Sequence, residues 1–268
     1  MNRIKTAILA LLIISCSAPS KEDNKDNNIT DSEPKMEYPD LLSKVLEAHG
    51  GLDKWKYYGS LQYEAVSTLG GEKRERQSID LYSRKVLIES DNYKLGMDGE
   101  NVWVAPNKEA FGEMSPRFYH NLLFYFFSIP FVFADPGIQY EELGTRTLDS
   151  ITYDALKISY QGGVGDASND EYIGLFDQET HQLKLLLYTV TYFSGEKHNN
   201  FNALKYDWQK ANGLLVPSAI TGYKYEADTL GDIRYKTEFQ NVSFRHEDFA
   251  DEMFEMPESA EIDSLKQR

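Results

Sequence analysis

The sequence predicts a mainly β (α+β) fold. The expected form is a single curved antiparallel sheet of about 10–11 strands making a half-open barrel. An N-terminal helix and an aromatic central helix are expected against its concave face. Three observations carry this. From Tyr58 onward the apolar residues recur mostly at period two. Successive strands are joined by short turns such as Gly70-Gly71 and Asp98-Gly99, which pair neighbours antiparallel, because a parallel crossover needs a dozen or more residues. The segment Phe118–Ala134 (FYHNLLFYFFSIPFVFA) is apolar nearly all round. Such a helix needs cover on every side, and a sheet curling around it supplies that.

The chain begins with an address. Arg3 and Lys5 precede Ala7–Ile14 (AILALLII), an apolar run of 8 residues. That length suits a signal peptide and falls far short of the ~20 residues of a bilayer span. Ile13-Ile14-Ser15-Cys16 resembles a lipobox, although the family usually has a smaller residue where Ile14 stands. The resemblance implies cleavage after Ser15 and acylation of Cys16, whose two or three acyl chains hold a protein on a membrane. Residues 17–37 are polar and charged, with Ala18, Ile29 and Met36 as the aliphatic exceptions, and read as a flexible tether. The expected organisation is therefore a signal peptide over residues 1–15, a lipidated cysteine and tether over 16–37, and one β domain over 38–268. Lys21-Glu22-Asp23 is similar to tags that direct some Gram-negative lipoproteins to the cell surface, and equally suits an ordinary solvated linker.

Leu41, Leu42, Val45, Leu46 and His49 share one face of a helix over about Asp40–His49, with Asp40 placed to cap it and Gly50-Gly51 to end it. A short second turn covers Leu52–Trp55. Leu61, Tyr63 and Ala65 then alternate with polar residues, and Gly70-Gly71 turns the chain into a strand near Arg76–Ser83. Further strands are expected at Val86–Glu89, Tyr93–Met97, Val102–Ala105, Ile151–Tyr160, Glu171–Phe176, Gln182–Phe193, Phe201–Trp208, Ser218–Glu226 and Arg234–Phe244. In the last of these the apolar parity flips between Phe239 and Val242, which predicts a β-bulge near Gln240-Asn241. In the centre, Pro116 signals a helix start, with a helix to about Ser128 and an extended piece after Pro130.

Composition limits the partners. Lys and Arg number 28 against 43 Asp and Glu, a net charge of −15 that disfavours nucleic acid. The single cysteine excludes an intrachain disulfide and a thiolate metal cluster. No nucleophile elbow, metalloprotease helix, P-loop or dinucleotide fingerprint occurs. The five histidines lack metal-pair spacing, and His120 stands out because it interrupts an apolar helix. No cofactor, metal or catalytic residue is expected. The oxygen-rich loop Gly162–Glu171, with Asp166, Asp170 and Glu171, departs from calcium-loop spacing and suits a solvated turn. Asp177 and Thr180 suit a hairpin turn in which Asp177 bonds its own backbone. Trp103, Trp208, Tyr192 and Phe193 fall in expected strands, where they suit a pocket wall or ordinary core packing.

Several motifs together carry a family resemblance. They are the lipobox, His49-Gly50-Gly51 with Trp55, Val102-Trp103, Tyr119–Asp135, Val164-Gly165-Asp166 with Asp170-Glu171-Tyr172, and Tyr188–Phe193. They resemble an uncharacterised family of cell-envelope lipoproteins (HGG-x3-W type). More distantly, the plan is similar to the lipoprotein-localisation factors (LolA/LolB-like), and Phe249–Pro257 is similar to their closing stretch. That resemblance implies an incomplete barrel with a helical element inside and a hydrophobic cavity that accepts acyl chains.

The expected function is a lipid-anchored cell-envelope protein, at the periplasmic or outer face of the outer membrane, that holds a lipid or acyl chain. Trp103, Phe118, His120, Leu122, Phe124, Phe127, Phe131, Phe133 and Tyr192 are the candidate cavity residues. The partners expected are the membrane, through Cys16, and a lipid or acyl ligand. Two alternatives stay open. One is a non-binding structural or interaction lipoprotein with a filled barrel. The other is a lipid or glycan hydrolase using His120 with Asp135 or Asp166 as acid and base.

Overall fold

The sheet curls around its own helices, and its strands pair in nearly unbroken chain order. The structure, a computed structural model, describes residues 38–161 and 169–264. The expectations for the signal peptide, Cys16, the tether, Val164-Gly165 and Asp166 lie outside those residues.

Helices α1 (Asp40–Ala48) and α2 (Leu52–Lys56) open the chain. Pro39 is the N-cap of α1 and no side chain caps it, so Asp40 sits inside the first turn instead, where its charge meets the positive end of the helix dipole. At the other end Gly50 (φ +108°) and Gly51 (φ +93°) donate to Glu47 O and Leu46 O, which closes the helix by the expected left-handed route. Five strands follow: β1 (Ser60–Ser67), β2 (Lys73–Asp80), β3 (Val86–Glu89), β4 (Lys94–Met97) and β5 (Val102–Ala105). Strand β2 starts and stops about three residues before expectation. Asp80 Oδ1 accepts from Tyr82 N, Ser83 N and Ser83 Oγ, and that turn ends the strand.

The central segment holds α3 (Lys108–Phe111), α4 (Pro116–Tyr119), α5 (Leu122–Ser128) and a 3-10 turn at Phe131–Ala134. Two expectations change here. The helix from Pro116 breaks at His120-Asn121, where the His120 ring donates to Arg117 O at 2.5 Å and Asn121 takes φ −111°. The piece after Pro130 is a tight turn rather than extended, closed by Phe133 N donating to Pro130 O. An extended chain would show alternate side chains to water, whereas the turn buries Phe131, Val132 and Phe133 together.

The remaining strands are β6 (Ile138–Leu148), β7 (Ile151–Tyr160), β8 (Glu171–Asp177), β9 (Leu183–Tyr188), β10 (Asn202–Ala211), β11 (Leu214–Glu226), β12 (Thr229–Arg245) and β13 (Glu261–Ile262). They form one 13-stranded sheet, ordered β13-β5-β4-β3-β2-β1-β12-β11-β10-β9-β8-β7-β6, with every pairing antiparallel. The two edges, β6 and β13, do not pair, so the barrel stays half open. The register of β1 on β12 slips between Gln62–Ser243 and Glu64–Gln240, with Asn241 at φ +54°, which is the expected bulge. Strand β9 ends at Tyr188, so Tyr192 and Phe193 lie in a loop and not in a strand. The loop leaves the sheet because Asp170 Oδ1 captures Thr191 N at 2.6 Å.

Helix α5 and the 3-10 turn fill the hollow of the sheet. Phe127 stacks on Tyr63 with ring centroids 4.7 Å apart, and Phe131 stacks on Trp55 at 4.6 Å. Tyr206 on β10 donates to Phe126 O. Outside the barrel, the C-terminal stretch covers β3 and β5, with Phe254 against Leu87 and Trp103. The β11–β12 hairpin reaches across to β6, where Arg146 donates to Tyr225 and Asp228 at its tip.

Candidate functional site

Beside the N-terminal half of the central segment the hollow is not filled. A cleft of about 410 Å³ opens there, and a second of about 440 Å³ adjoins it. Both share Phe118, Leu122, Phe126, Tyr188 and Val190 as wall. Phe118, Leu122 and Phe126 are spaced by four residues, so α4 and α5 present them as one stripe even across the break at His120. Opposite stand Tyr188, at the end of β9, and Val190 in the loop that follows. The ring of Phe126 packs edge-on against Tyr188 at 4.9 Å.

The first cleft runs from the β4–β5 turn (Met97, Gly99, Glu100, Val102) to the upper ends of β7 and β8. Its floor there is a tyrosine group. Tyr125 and Tyr160 hydrogen-bond through their hydroxyls, and Tyr172 packs on both rings at 5.4 and 6.0 Å. Burial pushes all three phenols above their ordinary range, so they stay protonated, with the Tyr125 and Tyr160 hydroxyls bonded to each other. Asp170 also faces this cleft. Burial raises its carboxyl, while the hydrogen bonds from Thr191 and the nearby His198 pull it back down. The second cleft runs to the β1–β2 turn (Thr68, Leu69, Gly70) and to Arg234 and Tyr235 on β12. Tyr235 and Tyr188 join their hydroxyls at 3.1 Å, which ties the two walls.

Of the nine candidate cavity residues, the structure brings Phe118, His120, Leu122 and Tyr192 to the first cleft. It places Phe124, Phe127, Phe131 and Phe133 in the closed core, each at most 2% exposed. Trp103 lies in the outer cluster, its indole N–H donating to Phe254 O. Trp208 is held on β10 by a bond from Nε1 to Leu183 O. Asp135 is paired with Arg84 at 3.0 Å and is not among the cleft residues. The Asp177 turn is as expected, with Oδ1 accepting from Thr180 N and Oγ1.

Phe126, Tyr125, Tyr160, Tyr172, Tyr188 and Val190 also line the cleft and are not among the nine candidate cavity residues, although Tyr172, Tyr188 and Val190 belong to the motifs that carry the family resemblance. The spacing Phe118–Leu122–Phe126 was available as a signal for the first of them. Tyr172 and Tyr188 meet through strand pairing, and Tyr125 reaches Tyr160 and Tyr172 through the packing of α5 on the sheet, neither of which residue types in one sequence reveal. Among the described residues, no three His, Cys, Asp or Glu side chains converge as a metal-holding group.

No family model and no curated protein matches the chain. Among solved structures it is similar to a DUF1329 family protein from Desulfovibrio piger, at 12% identity, covering 80% of this chain and 95% of that one with a TM-score of 0.49. It is also similar to a LolA superfamily protein from Nitrosomonas europaea, at 11% identity, covering 79% and 96% with a TM-score of 0.45. The likeness is to the fold alone.

Proposed function

We propose that this chain is a lipid-anchored cell-envelope protein that holds an acyl chain or similar hydrophobic ligand in the cleft beside α4 and α5. One observation carries the reading: the aromatic segment leaves space along its Phe118–Leu122–Phe126 stripe while its C-terminal half is packed solid. A cleft of about 410 Å³ falls within the ~300–1,000 Å³ typical of ligand sites. Its apolar walls favour alkyl burial by roughly 0.8 kcal/mol per CH₂, and its tyrosine hydroxyls suit the polar end of an amphiphile. In this reading Cys16 carries the acyl anchor after loss of residues 1–15, residues 16–37 are the tether, residues 38–268 are one domain, and the outer membrane is the site of attachment.

The reading is of a binding site: Asp170, the carboxylate at the inner end of the first cleft, accepts from Thr191 N and so serves to hold the loop after β9. Phe124, Phe127, Phe131 and Phe133, packed as core, favour the filled-barrel scaffold as the second reading. Native mass spectrometry with lipid extraction, together with uptake of a fluorescent fatty acid, separates the two. Binding predicts co-purifying lipid and saturable uptake; recovery of neither leaves the scaffold.

A further inference from the structure

The second cleft carries one formal charge on its walls, and that charge is positive. Arg234 supplies it, in a chain whose net charge is −15. The register of β11 on β12 passes from Gly222–Tyr235 to Tyr223–Ile233, so Arg234 is the extra residue of a bulge. A bulge re-aims a side chain. Here it sets Arg234 beside Tyr235 on the cleft wall, whereas Ile233 opposes Tyr223, which packs in the cluster on the other face of the sheet. Tyr235 lies across Gly222 of β11, where an added Cβ would meet its ring at 2.5 Å, and so reaches the Tyr188 hydroxyl on β9. Arg234 also reaches past β11, and its Nη1 donates to Asn202 Oδ1 on β10, a residue of the same cleft.

That amide is a neutral partner. Arg74, Arg84 and Arg146 each hold a carboxylate, whereas Arg234 holds none among the described residues. The nearby Asp232 is turned to Lys224. A guanidinium presents a planar fork of N–H donors that fits a carboxylate or a phosphate, and the Asn202 bond leaves most of that fork for a ligand. The first cleft is less suited to an anion, because Glu100 and Asp170 stand in its wall along with Arg117.

We propose that Arg234, with Asn202 beside it, receives the anionic end of the ligand, so that the site selects amphiphiles ending in a carboxylate or a phosphate over uncharged ones of the same chain length. The proposal rests on the reading of the cleft as an acyl site and names the charge of what it takes. The alkyl chain lies along the shared wall of Phe118, Leu122 and Phe126. Arg234 is exposed, so the head group keeps part of its hydration and salt weakens the pair.

The test displaces the uncharged probe N-phenyl-1-naphthylamine from the full chain with decanoate, decyl phosphate and decanol below their micellar concentrations. At low salt the anions are expected to displace it about five- to tenfold more strongly than decanol, with the ratio shrinking at high salt. A preference for one of the two anions upholds the proposal and names the head group. Arg234→Gln is expected to bring the ratio close to one. Lys236→Gln makes the same change of charge two residues along, on a side chain paired with Glu238, and is expected to keep the ratio. Reading a ratio keeps the test sound if Arg234→Gln loosens the fold, because that weakens all three ligands alike. Equal displacement by all three in the parent, a preference that survives Arg234→Gln, or one lost equally in Lys236→Gln overturns the proposal and leaves the acyl site standing. So does inorganic phosphate displacing the probe as well as decyl phosphate. Absence of probe uptake, or displacement by none of the three, refutes the acyl-site reading beneath it.

Discussion

Tyr119 on α4 donates a 2.9 Å hydrogen bond to Glu75 on β2, and both residues are at most 1% exposed. The same carboxylate accepts from Tyr93 and Gln77, and Gln77 accepts from Tyr63. Lys73 lies 4.7 Å over the Tyr119 ring. A buried carboxylate needs this complement of donors, and Tyr119 is the one that ties α4, and with it Phe118, to the barrel wall. Tyr119→Phe removes a bond to a charged group and is expected to lower stability by about 1.5–3 kcal/mol in urea unfolding. A change below about 0.5 kcal/mol contradicts the tie.

His49 makes stability depend on pH. Burial lowers its imidazole from 6.5 to about 4, against the raising effect of its bond to Val45 O, with Lys184 lowering it further. The folded chain therefore keeps His49 neutral where the unfolded chain protonates it. Stability rises with pH between about 4 and 6.5, by of the order of 3 kcal/mol in total, and this contribution is flat above that window. Chemical denaturation from pH 4 to 7.5 checks this by comparison with His49→Gln, whose profile is expected to be flatter in that window. Parallel profiles refute it.

Asp170 has the opposite sign. Its folded carboxyl is raised chiefly by burial, so charging it on folding costs stability as pH climbs through the raised value. Asp170→Asn keeps an acceptor for Thr191 N and removes the charge. It is expected to melt at or above the parent temperature at pH 7, with the gap closing as pH approaches 4. A lower melting temperature at pH 7 shows that the charge itself holds the loop.

Gly50 ends α1 where a Cβ would lie 2.7 Å from Gly213 O and 3.0 Å from Leu214 Cα. Gly112 has a similar φ, +110° against +108°, but an added Cβ there meets nothing within 4 Å. Gly112→Ala therefore reports the cost of positive φ alone, roughly 1–2 kcal/mol. Gly50→Ala is expected to cost more, because backbone must move as well. Equal costs would show that the β10–β11 turn yields freely.

The sheet was legible wherever one face of a strand is buried. Val86–Glu89, Val102–Ala105 and Ile151–Tyr160 agree with the sequence reading residue for residue, and the Asn241 bulge was visible as a change of parity. Strand β6 was not, because most of its residues (IQYEELGTRTL) face solvent at an open edge and leave no alternation. The two residues of β13 give no period at all. Within the central segment the polar pair His120-Asn121 marked an interruption, but not that the chain would turn there. That turn decides which aromatic side chains pack and which line space. Phe118 and Leu122 went to the cleft, and Phe124 and Phe127 to the core, on contacts with strands distant in sequence.

The cleft and the core are separable by two substitutions. Phe131→Ala empties packed space and is expected to cost about 3–5 kcal/mol of stability. Leu122→Trp places bulk on the shared wall of both clefts and is expected to leave the melting temperature nearly unchanged. The most direct measurement is therefore the uptake of a fluorescent fatty acid by the parent and by Leu122→Trp. Saturable uptake by the parent, weakened at least about tenfold in Leu122→Trp without loss of fold, is the predicted result. No uptake by the parent, or equal uptake by both, contradicts an acyl site at this cleft.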